Sequence, residues 1–206
     1  MVPRAAEKGQ ESLLFYMHGW DAIAVVSSND PHLLHWNVSN MPPNTIATSR
    51  HTQFDNAHME PAVAIKLTNG LILLIYTTVS TNDWALEHNL TCVKEPPYHE
   101  CWMPGYLLVE CGSTAASCKV VQRSAEPLLV PTLPWELQGM YAGMGTSNAL
   151  MPLEIGRNAN GGERFLLHYD AADMRVGAAV ITIEPLLFPS NEPWHAFQII
   201  SYSTTR

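Results

Sequence analysis

The chain has 206 residues, 47% of them hydrophobic and 15% charged, which suits one sizeable folded core and excludes a disordered or fibrous protein. Lys and Arg number 11 against 19 Asp and Glu, a formal charge of -8 with no basic run, so nucleic acid is a poor partner: phosphate binding needs a concentrated basic face. The longest continuous apolar run, residues 71–76, is far short of the roughly 20 residues that span a bilayer, and no membrane partner is expected. The first residues, from Met1 to Lys8, carry no apolar stretch of the kind a secretory leader needs. An apolar strand is read at residues 13–16 and a second, of smaller residues, at 22–26. The tripeptide Asn37-Val38-Ser39 is an N-glycosylation acceptor pattern, as is Asn89-Leu90-Thr91 further on. Asn69-Gly70 predicts a hairpin between strands at 62–67 and 71–76. A further strand is read at 105–109, and Gly161-Gly162 predicts a turn ahead of a strand at 164–169, followed by another at 176–180. Helical periodicity is not sustained anywhere, so the chain reads as all-β.

Internal repetition organises these strands. Three times an apolar strand ends in Tyr (Tyr16, Tyr76, Tyr169) and is followed by a strand of small residues. The segments Ala125-Glu126-Pro127-Leu128-Leu129 and Ile183-Glu184-Pro185-Leu186-Leu187 also match each other. The interval from the second Tyr to the third exceeds that from the first to the second, and the surplus falls where the cysteines lie. The second unit is therefore expected to carry a Cys-containing insertion around residues 77–104. Cys92, Cys101, Cys111 and Cys118 fit a disulfide-pinned loop of an oxidising compartment, with three pairings open. A zinc site is the rival reading, against which stands the lack of any Cys-x-x-Cys, and buried free thiols are the third. Clustered cysteines and acceptor tripeptides point to an extracellular setting, the absent leader against it. Repeated antiparallel units suggest propeller blades over a β-sandwich. About three units are visible where closed propellers use about 4–8, so residues 1–206 are read as one incomplete propeller domain, short at its N-terminal side.

Several stretches in order resemble glycoside hydrolase family 130, and more distantly the family 43 and 32 propellers. Ser27-Ser28-Asn29-Asp30 with His35-Trp36 resembles the end of a blade. The segment from Phe54-Asp55 to Glu60-Pro61, then Asn69-Gly70 through Tyr76, is similar to the family's aromatic-Asp segment and its following strand. Gln122-Arg123-Ser124 with Pro127-Leu128-Leu129, then Trp135-Glu136 and Gly139, and finally His168-Tyr169-Asp170-Ala171-Ala172-Asp173 with Gly177, continue the match. Asp170 stands where the family usually has Gly, and the cysteines have no counterpart. The resemblance implies the C-terminal part of a five-bladed β-propeller of four-stranded antiparallel blades, acting on mannoside-type glycosidic bonds by hydrolysis or phosphorolysis. The family's catalytic acid and phosphate-binding residues lie mostly in earlier blades, and the acid is not identified in this chain.

Glycosidic cleavage needs a proton donor and a second carboxylate. Asp55, just ahead of an apolar strand, and Glu60 nearby are the catalytic candidates; a turn role for Asp55 and a solvated loop for Glu60 compete. Asp173, in a turn between two strands, is the leading sugar-binding candidate, because a carboxylate accepts hydrogen bonds from two adjacent hydroxyls. Trp20 offers an indole face for a sugar ring, with Trp84 the other loop tryptophan of that kind, whereas Trp36 and Trp135 read as core. His58, His168 and Arg175 are further substrate contacts, and Arg123 reads as structural. No metal motif is present, and no cofactor is expected beyond inorganic phosphate as co-substrate of a phosphorylase. The expected partner is an oligosaccharide or glycoside. The alternative function is a non-catalytic carbohydrate-binding or interaction propeller, or an inactive fragment lacking the earlier blades.

Overall fold

The structure, a computed structural model, describes residues 11–37, 44–80, 82–88, 101–141, 145–153, 162–185, 197–199 and 204–205. Within them the fold is all-β, apart from one six-residue helix and one short 3-10 turn, as the punctuated apolar runs predict. The strands are β1 (Ser12–His18), β2 (Ala22–Ser28), β3 (Asn44–Thr48), β4 (His58–Lys66), β5 (Ile72–Ser80), β6 (Cys101–Glu110), β7 (Lys119–Arg123), β8 (Gly145–Pro152), β9 (Glu163–Ala171), β10 (Arg175–Pro185), β11 (Phe197–Ile199) and β12 (Thr204–Thr205). They form three antiparallel sheets in the orders β1-β2-β3, β4-β5-β6-β7 and β8-β9-β10-β11, with β12 also paired to β10.

The middle sheet is covered on both faces, and its sequence records this. All nine residues of β5 are buried, without the alternation of a half-solvated strand. Leu74 and Tyr76 pack with Leu13, Phe15, Ile23 and Val25 of the first sheet. Leu73 and Ile75 face the opposite way, onto Leu150, Phe165, Leu167, Ile181 and Ile183 of the third. Each such fully buried side chain contributes about 1.5–3 kcal/mol.

The hairpin expected at Asn69-Gly70 forms. Gly70 adopts φ 92°, which only glycine takes readily, and its N–H donates to the Leu67 carbonyl at 3.0 Å. The expected turn at Gly161-Gly162 lies partly outside the described residues.

The three Tyr-marked units are three antiparallel strand pairs in matching register: Tyr16 opposite Ala24, Tyr76 opposite Gly105, Tyr169 opposite Gly177. The Glu-Pro-Leu-Leu match is not part of that repeat. Glu126 follows β7, at the far edge of the middle sheet, whereas Glu184 lies within β10, beside β9. Similar apolar composition in a loop and a strand produced that likeness. The β5–β6 connection runs from 81 to 100 and includes the helix α1 (Asn82–Glu87), where the other two units turn within three residues. Cys111 and Cys118 are disulfide-bonded across the β6–β7 connection, and Cys101 is disulfide-bonded as well. The Asn44 amide donates to the Ala115 carbonyl at 2.7 Å, tying this pinned turn to β3.

Candidate functional site

Asp55 lies in the loop between β3 and β4 and is fully buried. Its Oδ1 accepts from Arg50 Nε at 2.8 Å, and its Oδ2 accepts from Arg50 Nη2 at 2.9 Å, Arg123 Nε at 2.8 Å and the Tyr76 hydroxyl at 2.7 Å. Arg50 also donates to the Ser124 carbonyl, and Arg123 to the Thr48 carbonyl, so the cluster joins the end of β3 to β5 and β7. A buried carboxylate is tolerated only when paired and hydrogen-bonded, and this one has four donors. Burial, followed by the neighbouring Asp55 charge, raises the Tyr76 phenol far above its ordinary range, which keeps it a donor. With both oxygens engaged and none of its surface in solvent, Asp55 holds two sheets together. The sequence offered Asp55 both as a reacting carboxylate and as a turn former; its pairing with Arg123 and Tyr76 depends on residues distant in the chain. Arg123, read as structural, donates within this cluster to Asp55 and the Thr48 carbonyl.

The third sheet repeats the device with another acid. Glu136 is buried; its Oε1 accepts from the Tyr169 hydroxyl, and its Oε2 accepts the backbone N–H groups of Thr132 and Leu133, each at 2.8 Å. Trp135 stacks on Tyr169. Gly139 closes the loop against Ala172, where a β-carbon would stand 2.3 Å from the Ala172 carbonyl oxygen. The sequence signal for Glu136 was the Trp135-Glu136 pair beside Gly139.

Of the remaining candidates, Trp20, His58 and Glu60 come together at one rim of the sheets. The Met59 N–H donates to the Trp20 carbonyl at 3.3 Å, seating the β1–β2 turn on the start of β4. The His58 imidazole lies between two indoles, with ring centroids 4.6 Å from Trp20 and 5.2 Å from Trp102. Glu60 Oε2 stands 3.6 Å from His58 Nε2, and its side chain is 57% exposed against 3% for the imidazole. Gly145, opening β8, abuts the Trp102 carbonyl and pairs with Ala171, beyond which lies the β9–β10 turn. In that turn Ala172 (φ 53°) and Asp173 (φ 55°) are both left-handed, and Met174 N–H closes onto the Ala171 carbonyl, a type I′ arrangement that leaves the Asp173 carboxylate in solvent.

Trp20 is two-thirds exposed at 66% and free to offer a face. Arg175 is exposed at the foot of the same turn as Asp173. His168 is not brought to His58: it is half-buried mid-strand on β9, opposite Ala149 and Ala178, on the face turned away from Leu167 and Tyr169. Trp84 is core, packed on Phe54 and His88, and offers no platform. Trp102 was missed, having no local signal to separate it from a core strand residue. Among the described residues, no cluster of three or more His, Cys, Asp or Glu is placed to hold a metal ion, and no helix is long and apolar enough to cross a membrane.

The arrangement of these sheets resembles that of several solved structures. No family model matches the chain, and no curated protein does. Solved structures do. A candidate glycoside hydrolase from Parabacteroides distasonis is 20% identical with a TM-score of 0.58, over 87% of this chain and 48% of its own. A glycosyl hydrolase from Bacteroides ovatus is 20% identical with a TM-score of 0.57, over 82% and 42%. A structure described under the GH130 family of mannoside phosphorylases, containing glycoside hydrolases that target β-1,2 mannosidic linkages in Candida mannan, is 18% identical with a TM-score of 0.59, over 94% and 47%. At this identity the likeness is one of fold, and the chain spans about half the length of the structures it matches.

Proposed function

We propose that this chain is part of a carbohydrate-active protein that binds an oligosaccharide at the rim carrying Trp20, His58, Glu60 and Asp173. The observation that carries the reading is the exposed Trp20 indole, held on His58 next to the exposed Glu60 carboxylate. An indole face packs on the apolar face of a sugar ring, and carboxylates such as Glu60 and Asp173 accept its hydroxyls. The fold likeness to glycoside hydrolases supports the same class. In this reading the three sheets are blades of an incomplete five-bladed propeller, which the recurring Tyr–cross-strand pair supports. The reaction is hydrolysis or phosphorolysis of a mannoside-type bond: water or inorganic phosphate attacks the anomeric carbon, the glycosidic C–O bond breaks, and the departing oxygen takes a proton. Glu60 is the reactive carboxylate in this chain and Asp55 holds the scaffold. The disulfides suit an oxidising, extracellular setting.

A second reading, a binding propeller without catalysis, is favoured by the full engagement of Asp55. The test is to incubate purified protein with β-mannosides, with and without phosphate. Release of free sugar supports a hydrolase and release of glycosyl phosphate a phosphorylase; binding without release supports the second reading. Neither binding nor release would overturn both.

A further inference from the structure

The contact between the middle and third sheets, just below the rim, holds polar atoms that the fold leaves unmatched. His58 Nδ1, His58 Nε2 and Ser147 Oγ are buried without a hydrogen-bond partner. Such groups each cost about 1–3 kcal/mol when left unsatisfied, so a partner that completes their hydrogen bonds, a ligand hydroxyl or a water, is favoured here.

Strand register puts these atoms on shared ground. His58 pairs across β4–β5 with Val79, and Glu60 with Thr77; Val79 in turn pairs with Trp102 on β6. Directly opposed antiparallel residues project to the same face, so His58, Glu60, Thr77 and Trp102 all face the third sheet. From that sheet, the Ser147 backbone N–H donates to Thr77 Oγ1 at 3.2 Å, which brings Ser147, whose hydroxyl has no partner, against this face of the middle sheet. Trp102 walls the imidazole on the inside. On the outside the cover is Trp20, whose indole is 66% exposed and rests on the imidazole.

We propose that His58, Ser147 and Thr77 form the inner end of a sugar subsite, taking one ring hydroxyl in hydrogen bonds when the Trp20 indole shifts from the imidazole to the sugar face. The subsite rests on the carbohydrate reading above. Its chemistry is that of a neutral polyhydroxylated ring. The buried groups are two hydroxyls and an imidazole with two ring nitrogens, all able to hydrogen-bond a ring hydroxyl, which both donates and accepts. Glu60, at the mouth, is left for a second hydroxyl.

The experiment is calorimetric titration of the whole chain with β-mannosides and their singly deoxygenated analogues, alongside the His58 imidazole nitrogen resonances. His58→Phe and Ser147→Ala are compared with the parent, their folding checked by circular dichroism. Expected are a loss of about tenfold in affinity in each variant, one deoxy position that weakens binding to the parent about tenfold but has little further effect in Ser147→Ala, and a ligand-induced shift of the His58 resonances. Parent-level binding in both folded variants, with unmoved resonances, would overturn the subsite and leave the carbohydrate reading standing. A parent chain that binds none of the glycosides would overturn both. If either variant unfolds, the resonances of the parent decide alone.

Discussion

The Tyr76 ring lies flat across Gly105 on the neighbouring strand, and its hydroxyl is thereby delivered to Asp55. A β-carbon on Gly105 would come 2.4 Å from the ring. The same relationship joins Tyr169, Gly177 and Glu136 in the third sheet, where the β-carbon would come within 2.3 Å. In the first sheet Tyr16 faces Ala24.

Gly105→Ala is expected to destabilise the fold by about 1–3 kcal/mol, because the methyl group must displace a buried ring. Gly177→Ala should behave alike, whereas Gly70→Asn, in an open turn, should cost less than either. Urea midpoints of the three variants check this, and a larger loss at Gly70 would argue against the Tyr–Gly contact as the cause.

Asp55→Asn leaves two guanidinium groups facing a neutral amide, and a loss of about 3–5 kcal/mol is expected, the cost of breaking a buried ion pair. Glu60→Gln removes a half-exposed carboxylate and should change stability by less than about 0.5 kcal/mol while weakening glycoside binding or turnover. Thermal melts and activity on both variants separate holding from reacting; a stable, inactive Asp55→Asn would restore Asp55 as a reacting group.

Alkaline pH should weaken the fold through Tyr76. Its phenol ionises in the unfolded chain near 10.0 and only at much higher pH in the fold, owing first to burial and then to the Asp55 charge. The folded state therefore holds the proton more tightly, so the contribution is complete below pH 10 and declines as pH rises beyond it. Melting temperature measured from pH 8 to 11 should fall at the alkaline end, and Tyr76→Phe, though less stable overall, should flatten that fall.

Replacing Cys111 and Cys118 together with Ser opens a short loop around the turn that Asn44 grips. Loop-closure entropy gives an expected loss of about 2–3 kcal/mol, read as a lower urea midpoint. An unchanged midpoint would mean that the Asn44 hydrogen bonds alone keep the turn in place.

Trp20→Ala removes a mostly exposed side chain, so stability should change little while affinity for any glycoside ligand falls at least tenfold. Fluorescence or calorimetric titration reads the second effect and a thermal melt the first.

Local chemistry made much of this fold legible in the sequence. The Asn69-Gly70 hairpin, the presence of the strands that carry Tyr16, Tyr76 and Tyr169, and the continuous apolar run of β5 follow from turn conformation and burial, which act between neighbours in the chain; the strands run on past each Tyr, to His18, Ser80 and Ala171. The matched Glu126 and Glu184 segments misled, because a loop and a strand share apolar composition without sharing a position. Tertiary structure alone decided what each polar side chain does. Asp55 meets Arg123 from β7, His58 is closed in by Trp20 from the β1–β2 turn and Trp102 from β6, and His168 is turned away from both. Charge pairing and ring stacking act only over a few ångströms, and the partners that come that close are chosen by how the sheets pack, not by their separation in the chain.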